Sequence, residues 1–510
     1  MKKKMTKRIL ALVLAAILCI SQEIPATASA AVKAEEGKTS VSQERGANPA
    51  LSNPQHYCLQ GKRKEDVTAW SYVYFGSYPQ TEVKGAALTN AIKNASYDEN
   101  GDAWVNGTRY RRLSKKDTDY SLNFGDKAYR YFKWEKIRWR VLVYDASWIV
   151  LMADLALDGQ YFNDTGNGST WEKCSLRKWL NQTFYQTAFT SQEQNAIVKT
   201  EMWTVENPET GADGGGKTID NIYLLSLGNT SYRDYGFCEG RGESSSRQMK
   251  ASDYAYVMGT NRDSAGYCEW YLRSPGYDAD FAATITKEGK QDMGGMFVDM
   301  EGCGCVPALG IRRSSSLWKK APSPLKAPSG LKVKATAGDA VKLTWKKVKG
   351  ASSYQIYRGE PKDEWVYAIK TVKGNSYVDK KLKGGKTYCY YVVARSGTKI
   401  SFASNTVSKK VLGKLAAPKM TLKADSAARK FTISWKTVKN ASKMEILRAT
   451  GDGAFKKWKV VPANRKSVSY SYGELKKGTQ YRFALRAYYK TDGKTIYSNA
   501  SNMVSFKLTK

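Results

Sequence analysis

The chain has 510 residues, with 82 Lys and Arg against 47 Asp and Glu, and a net charge of +35. A chain of this length exceeds a single hydrophobic core, so about three domains are expected. Its eight cysteines are too sparse for a disulfide scaffold, which excludes the small stapled classes of secreted protein.

The excess charge lies almost entirely in the C-terminal part. Residues 321–510 hold 41 Lys and Arg against 10 Asp and Glu, a net charge of +31, whereas residues 31–320 hold 36 of each. A field of one sign attracts polyanions and says little about fold. We therefore expect a neutral head and a basic tail with different functions.

The N-terminus has the pattern of a secretory signal peptide over residues 1–30. Five bases within residues 1–8 precede a twelve-residue apolar run, ILALVLAAILCI, and Ala28-Ser29-Ala30 offers a small-residue cleavage site. The run is too short to span a bilayer, and no transmembrane segment is expected after cleavage. The mature protein is expected outside the cell, held at the cell wall, if at all, by non-covalent contacts.

The predicted boundaries follow composition. Residues 31–55 are polar and rich in Ser, Ala and Pro, as in a flexible linker. The head is predicted at residues 56–320, ending near a proline-rich segment. Two further domains are predicted at residues 321–412 and 413–510.

The first half of the head has strand patterns. Residues 72–75, 137–142 and 148–152 are short apolar or alternating runs. Residues 97–104 are predicted to form a hairpin around Asn100-Gly101, because Asn-Gly favours a tight two-residue turn.

Two helices and a further strand follow. Residues 175–184 place Leu, Trp, Leu and Phe on one helical face, and Thr190 with Glu193 forms a capping-box pattern. Residues 222–225 are predicted as strand after a glycine-rich loop. The head is therefore predicted to be α+β, mainly antiparallel sheet with two central helices.

These residues resemble the domain-of-unknown-function family numbered 6273, found in secreted proteins of Gram-positive bacteria. The matching motifs run in order through residues 70–313: FGSYPQ (75–80), IRWRVL (137–142), WEKCSLRKWLN (171–181), IYLLS (222–226) and WYLRSPG (270–276). The family's closing Val-Arg-Pro-Ala-Leu run lacks its arginine here, since residues 305–309 read CVPAL. The resemblance implies a fold distantly similar to C-type lectins and formylglycine-generating enzymes, and a head that binds a ligand.

Catalytic signals are weak. The chain has one histidine, His56, so a Ser-His-Asp or Cys-His arrangement is disfavoured. The spacing of Cys303 and Cys305 does not match the copper-binding pair of formylglycine-generating enzymes. Paired carboxylates stay open as an alternative, and the candidates are Asp154, Asp158 and Asp164.

Metal signals are also weak, and no cofactor is predicted. Asp98, Asn100 and Asp102 imitate the start of an EF-hand loop, but Ala103 and Arg109 replace its Gly and Glu. The hairpin interpretation is therefore preferred. A structural calcium elsewhere in the head is kept as a hypothesis.

Ten of the fourteen tryptophans lie in the head. Four flank predicted loops and, with one arginine of the last motif, are the candidate ligand-binding residues: Trp104, Trp171, Trp203, Trp270 and Arg273. The alternative is that each indole is a partly buried core residue and that Arg273 pairs with a buried carboxylate. Trp139 and Trp179 lie on apolar faces and are predicted to be structural.

The tail contains an internal repeat. Residues 345–358 align with residues 435–448, and alternating runs precede Trp345 and Trp435. Both copies resemble fibronectin type III domains, which implies two all-β immunoglobulin-like sandwiches. The resemblance implies that the two tryptophans pack the cores and that Tyr388 and Tyr481 pin a corner.

The lysines of the tail are spread along its strands and turns. The interpretations are a solvated surface or electrostatic adhesion to an anionic cell-wall polymer or polysaccharide. Nucleic acid is disfavoured, because the protein is predicted to be exported and shows no recognition motif.

Together these patterns predict a secreted, non-catalytic binding protein. Its head would recognise a glycan or a surface protein, and the tail would be a spacer and electrostatic anchor. The alternatives are a secreted carboxylate-dependent enzyme acting on polysaccharide or peptidoglycan, and a structural surface protein.

Overall fold

The computed structural model describes residues 51–57, 67–118, 121–361, 367–427 and 429–509. The predicted signal peptide and most of the predicted linker lie outside these residues. The chain divides into two compact units, Met1–Pro324 and Leu325–Lys510, each described by itself. The packed core of the first unit, the head, already includes Leu51.

The strands of the head are numbered in chain order. They are β1 Gln55–Tyr57, β2 Val67–Ala69, β3 Tyr72–Glu82, β4 Asp102–Val105, β5 Thr108–Ser114, β6 Tyr129–Tyr144, β7 Trp148–Ala153, β8 Asp158–Gly159, β9 Ile197–Val198, β10 Thr200–Met202, β11 Thr218–Asp220, β12 Met249–Lys250, β13 Tyr267–Cys268, β14 Trp270–Pro275, β15 Phe281–Ile285, β16 Gln291–Phe297, β17 Gly304–Cys305, β18 Ala308–Arg312 and β19 Lys319–Ala321.

Two sheets organise the head around one core. The larger has the order β19-β3-β6-β7-β18-β9, with the hairpin β4–β5 attached to β6. The smaller has the order β16-β15-β14-β17-β8, in which β14 and β17 run parallel and the other neighbours antiparallel. Successive side chains of a strand point to opposite faces of the sheet. In the long β6, the alternate residues Ile137, Trp139 and Val141 share the face toward the core and are completely buried.

Short helices connect the strands. They are α1 Asn90–Lys93, α2 Ser121–Phe124, α3 Ser175–Trp179, α4 Tyr185–Ala188, α5 Ser191–Ala196 and α6 Asp253–Val257. A π turn over Leu180–Phe184 joins α3 to α4, so the helix predicted at residues 175–184 is confirmed and extends to Ala188. The capping box at Thr190 and Glu193 is also confirmed. Trp179 is half-buried and packs against the core, whereas Trp139 is fully buried.

Two local predictions in the head were wrong. The hairpin turns at Asn106-Gly107 instead of Asn100-Gly101, because only the later pair separates two strands in register, β4 and β5. The earlier pair lies in a turn in which Asp98 accepts the backbone N–H groups of Asn100 and Asp102. Residues 222–225 do not form a ladder strand, since only Tyr223 makes a bridge, to Ala308.

The tail contains two sandwiches of similar topology. The strands of the first are β20 Lys332–Ala337, β21 Ala340–Thr344, β22 Ser353–Gly359, β23 Tyr367–Val372, β24 Ser376–Asp379, β25 Thr387–Ser396, β26 Lys399–Ile400 and β27 Val407–Lys410. The strands of the second are β28 Met420–Asp425, β29 Lys430–Trp435, β30 Lys443–Thr450, β31 Lys456–Pro462, β32 Ser467–Ser471, β33 Gln480–Thr491, β34 Lys494–Tyr497 and β35 Val504–Lys507. In each, a three-stranded and a five-stranded sheet enclose a separate core.

The repeated motif residues occupy equivalent places in the two sandwiches. Trp345 and Trp435 are buried in their cores. The hydroxyl of Tyr388 accepts the backbone N–H of Lys383 at 3.1 Å, and that of Tyr481 accepts the N–H of Lys476 at 2.9 Å. Each tyrosine therefore fixes the chain where it enters the long strand β25 or β33.

Candidate functional site

The structure separates the tryptophans that the sequence groups as ligand-binding candidates. Trp104 is 71% exposed on β4, and Trp203 is 49% exposed just after β10. The two strands belong to different sheets. The Lys217 ammonium lies 5.4 Å from the centre of the Trp203 ring.

The other three candidates need correction, because all are buried. Trp171 donates its indole N–H to Asp220 at 3.0 Å, and Trp270 donates to the Arg247 carbonyl at 3.1 Å. Arg273 donates to the Leu224 carbonyl and to the side-chain oxygen of Asn229. These residues hold loops together and do not reach a surface ligand.

The smaller sheet carries an exposed aromatic cluster that sequence reasoning missed. It consists of Tyr277, Phe281 and Phe297, here called the aromatic platform. The ring centres of Phe281 and Phe297 lie 4.1 Å apart, and that of Tyr277 lies 6.3 Å from Phe281 in an edge-on orientation. Tyr277 is 65% and Phe297 48% exposed, which is unusual for large aromatic side chains in contact with one another.

A β-bulge places the two phenylalanines opposite each other. Phe281 on β15 pairs with Phe297 on β16, and the register shifts between Ala282 and Thr284. Residues 293–295 of β16 lie opposite Ala283 alone, and Gly295 has φ +72°, a conformation that glycine adopts without strain. Asp292 supports the bulge by accepting the N–H groups of Gly294 and Gly295.

The buried Tyr271 supports the platform from behind. Its hydroxyl lies 3.0 Å from the carbonyl oxygens of both Phe297 and Met300, at the turn that follows β16. Tyr271 belongs to the motif WYLRSPG, so that motif positions the platform without contacting solvent. The signal available in the sequence was the mixture of aromatic residues and aspartates in YDADF (277–281) and FVDM (297–300).

Three exposed aspartates neighbour the platform residues along the chain and are here called the acidic rim: Asp278, Asp280 and Asp299. Asp278 accepts the backbone N–H of Asp280 at 2.9 Å, which shapes the turn between Tyr277 and Phe281. The loop at residues 163–169 closes one side. A Cβ at Gly168 would lie 2.7 Å from a carboxylate oxygen of Asp280, so only glycine allows this approach.

The chain that leaves the platform at Phe297 leads to a polar cleft of about 170 Å³, which residues 301–303 help to line. It is lined by Lys116, Asp117, Thr118, Gly159, Gln160, Tyr161, Met258, Gly259, Glu301, Gly302 and Cys303. The Tyr161 hydroxyl donates to Glu301 at 2.8 Å. Asp117 accepts the backbone N–H and hydroxyl of Ser114, so both carboxylates of the cleft have hydrogen-bond partners.

The carboxylates proposed for catalysis do not meet in this cleft. Asp154 accepts a hydrogen bond from Arg140 at 2.7 Å, and Asp164 is exposed on the loop at residues 163–169. Asp158 is fully buried behind the cleft and accepts from Tyr78 at 2.5 Å and Gln160 at 3.2 Å. Burial raises the pKa of Asp158 to about 6, against the opposing effect of these hydrogen bonds.

In the segment that resembles an EF-hand loop, the carboxylate of Asp102 is already engaged by neighbouring side chains. Asp102 accepts hydrogen bonds from Arg109, Arg111 and the Trp134 indole, each at 2.7 Å. Within the described ranges, no group of three or more His, Cys, Asp and Glu is placed to hold a metal ion. The structural-calcium hypothesis therefore gains no support here.

The cysteines and the histidine make no catalytic arrangement in the described part of the chain. Cys174, Cys238, Cys268, Cys303 and Cys305 are buried thiols, and Cys389 is half-buried. Burial raises the pKa of Cys303 well above its usual value, which keeps the thiol protonated. The ring of His56 lies 2.8 Å from the Thr68 hydroxyl on the small sheet β1–β2.

The described surface of the tail carries many exposed lysines. The exposed lysines predicted to face solvent are Lys342, Lys346, Lys347, Lys349, Lys380, Lys381, Lys383, Lys410, Lys456, Lys457, Lys459, Lys476 and Lys477. Lys409 differs, since it is half-buried and pairs with Asp492 at 2.7 Å.

A domain of unknown function, DUF6273, matches residues 145–312 by comparison with protein families. The matched segment includes the helix from α3 to α4, the whole of the smaller sheet, the aromatic platform and most of the residues lining the cleft. The family description assigns no activity.

Comparison with solved structures finds fibronectin type III proteins. The FN1–FN3 domains of chicken CNTN1 match over 45% of this chain and 94% of theirs, at 15% identity and a TM-score of 0.28. A two-domain segment of chicken tenascin matches over 35% of this chain and 98% of its own, at 18% identity and a TM-score of 0.21. The all-β sandwich architecture of the tail follows from its own strand order.

A curated relative matches a short segment. A poly(3-hydroxybutyrate) depolymerase of Ralstonia pickettii is 40% identical over 68 residues, which is 13% of this chain and 13% of that enzyme. In the part of the chain that the structure describes, no helix is long and apolar enough to cross a membrane.

Proposed function

We propose that the protein is an exported, modular binding protein whose head binds a glycan through the aromatic platform. The supporting observation is the cluster of three aromatic rings at the end of the smaller sheet, in which the half-buried Phe281 contacts the exposed Tyr277 and Phe297, beside exposed carboxylates. Aromatic faces stack on the apolar faces of sugar rings, and carboxylates accept hydrogen bonds from sugar hydroxyls.

The support for the platform favours binding without reorganisation. Tyr271 and the bulge at Gly295 fix the backbone that carries Phe297, while the Asp278 turn fixes that of Phe281. A ligand would therefore meet rings that are already positioned, which lowers the entropic cost of binding. The distant C-type-lectin-like resemblance of the head is part of this proposal.

A glycan array probed with the full chain tests the proposal, in calcium and in chelator. We expect specific binding that Phe281→Ala and Phe297→Ala each weaken by roughly 5- to 30-fold, since stacking on one ring contributes about 1–2 kcal/mol. Trp104→Ala is the matched control, because this exposed indole lies on another sheet. A blank array from folded protein, or equal loss in the control, would contradict the assignment.

The basic tail supports the second part of the proposal, an electrostatic anchor to an anionic cell-wall polymer or polysaccharide. Its exposed lysines greatly outnumber its acids, and the two sandwiches provide a spacer. Secretion is proposed from residues 1–30, which lie outside the described residues.

The enzyme alternative is less well supported by the cleft. Glycoside hydrolysis needs two carboxyl groups placed on either side of the scissile bond. Asp117 is held within a local turn by Ser114, and Glu301 accepts from Tyr161. The structural alternative predicts a surface for assembly, for which the exposed Trp203, Val205 and Ile219 beside β10 and β11 would be the place to look.

A further inference from the structure

The acidic rim is chemically unusual for a surface that binds neutral sugars. Among the described residues, no Lys or Arg forms an ion pair with Asp278, Asp280 or Asp299. The carboxylates of Asp280 and Asp299 also accept no hydrogen bond from any residue that the structure describes. The rim therefore presents three negative charges without an ionic partner beside the residues of the aromatic platform.

Both parts of this surface attract the same kind of group. The face of an aromatic ring is negative and attracts an ammonium, and carboxylates attract it by charge and hydrogen bonding. Anionic ligands are repelled by the rim, while neutral sugars gain the stacking and hydroxyl hydrogen bonds but no charge pairing.

We propose that the platform and the acidic rim select glycans that carry protonated amines, such as oligomers of a deacetylated amino sugar. This inference rests on the proposed glycan-binding function and names its ligand class. Sugar rings would stack on Phe281 and Phe297 while the ammonium groups pair with the rim. The head would then bind a cationic polymer and the tail an anionic one.

Calorimetric titration of the full chain with a glucosamine tetramer and its fully N-acetylated counterpart, at physiological salt and mildly acidic pH, tests the inference. We expect the amine form to bind roughly tenfold more tightly, as one or two charge contacts would give. The triple substitution Asp278→Asn, Asp280→Asn and Asp299→Asn should abolish the preference and retain binding of the acetylated form.

Asp263→Asn is the matched control, because Asp263 is an exposed aspartate that also caps a local turn, accepting the N–H of Ala265 at 2.8 Å. Equal affinity for the two tetramers would overturn the inference and leave glycan binding intact. If neither tetramer binds, the inference is also overturned. The glycan array would then decide separately whether the head binds any glycan. Tighter binding of tetralysine than of the amino sugar would assign the surface to a protein partner instead.

Discussion

The head and the tail use charge in opposite ways. In the head, acids and bases are equal in number and several buried acids have a basic partner, such as Glu82 with Arg130 and Asp220 with the half-buried Arg177. In the tail, 41 bases stand against 10 acids, so the acids are too few to pair with most of the cations, and many lysines of the described ranges are exposed. Charge should therefore determine stability in the head and binding in the tail.

The largest effect should be the response of the tail to salt. We expect binding of the full chain to purified, teichoic-acid-containing cell walls to fall roughly a hundredfold or more between 0.05 and 0.2 M salt. Replacing Lys346, Lys347 and Lys349 with Gln should weaken binding and flatten the salt dependence. Their effect on the unfolding free energy should stay within about 0.5 kcal/mol, because the side chains are exposed. Binding that persists at molar salt would contradict electrostatic anchoring.

Removing a buried charge from the head should be strongly destabilising. Asp102→Ala leaves Arg111 and the Trp134 indole without their shared acceptor, so the unfolding free energy of the head should fall by about 3–5 kcal/mol. Urea unfolding followed by tryptophan fluorescence measures this. Glu201→Ala is the control, since it removes an exposed pair with Lys217 and should change stability by less than about 1 kcal/mol. Similar losses in both variants would contradict the comparison.

The buried Asp158 should make the head sensitive to pH. Because burial raises the pKa of this carboxyl from 3.8 to about 6, the folded state holds a proton that the unfolded state releases. Stability should therefore fall as the pH rises from about 4 to 6, by on the order of 2 kcal/mol. Melting temperatures of the wild type and Asp158→Asn across this range test it. Parallel curves would exclude Asp158 as the cause.

The smallest effect should come from a neutral hydrogen bond in the tail. Tyr388→Phe removes the acceptor of the Lys383 N–H and should lower the stability of the first sandwich by about 1 kcal/mol. Tyr497→Phe is the control, because its ring is 43% exposed near the end of the chain. Equal melting temperatures for the two variants would show that the corner bond contributes nothing.

Local patterns predicted much of the fold. The helix beginning at Ser175 has an apolar face spaced by three and four residues, and the capping box at Thr190 needs only side chains three positions apart. Predictions failed where two local signals competed. Both Asn-Gly pairs permit a tight turn, and the pairing of β4 with β5 selected the second.

The candidate site was less predictable, because exposure depends on distant residues. Trp171 and Trp270 are packed in the core, where Asp220 and the Arg247 carbonyl accept their indole N–H groups, although their flanking sequences resemble loops. The aromatic platform was not predicted, because its rings come together only in the folded chain. Phe281 and Phe297 become neighbours only through pairing of β15 with β16 across a bulge.

The charge division, the repeat in the tail and the main helices can be predicted without a structure, because each is a property of composition or of spacing along the chain. Which aromatic side chains meet solvent, and which carboxylates lack an ionic partner, can be learned only from the folded chain. Both depend on which elements pack together, and packing joins residues that lie far apart in the chain.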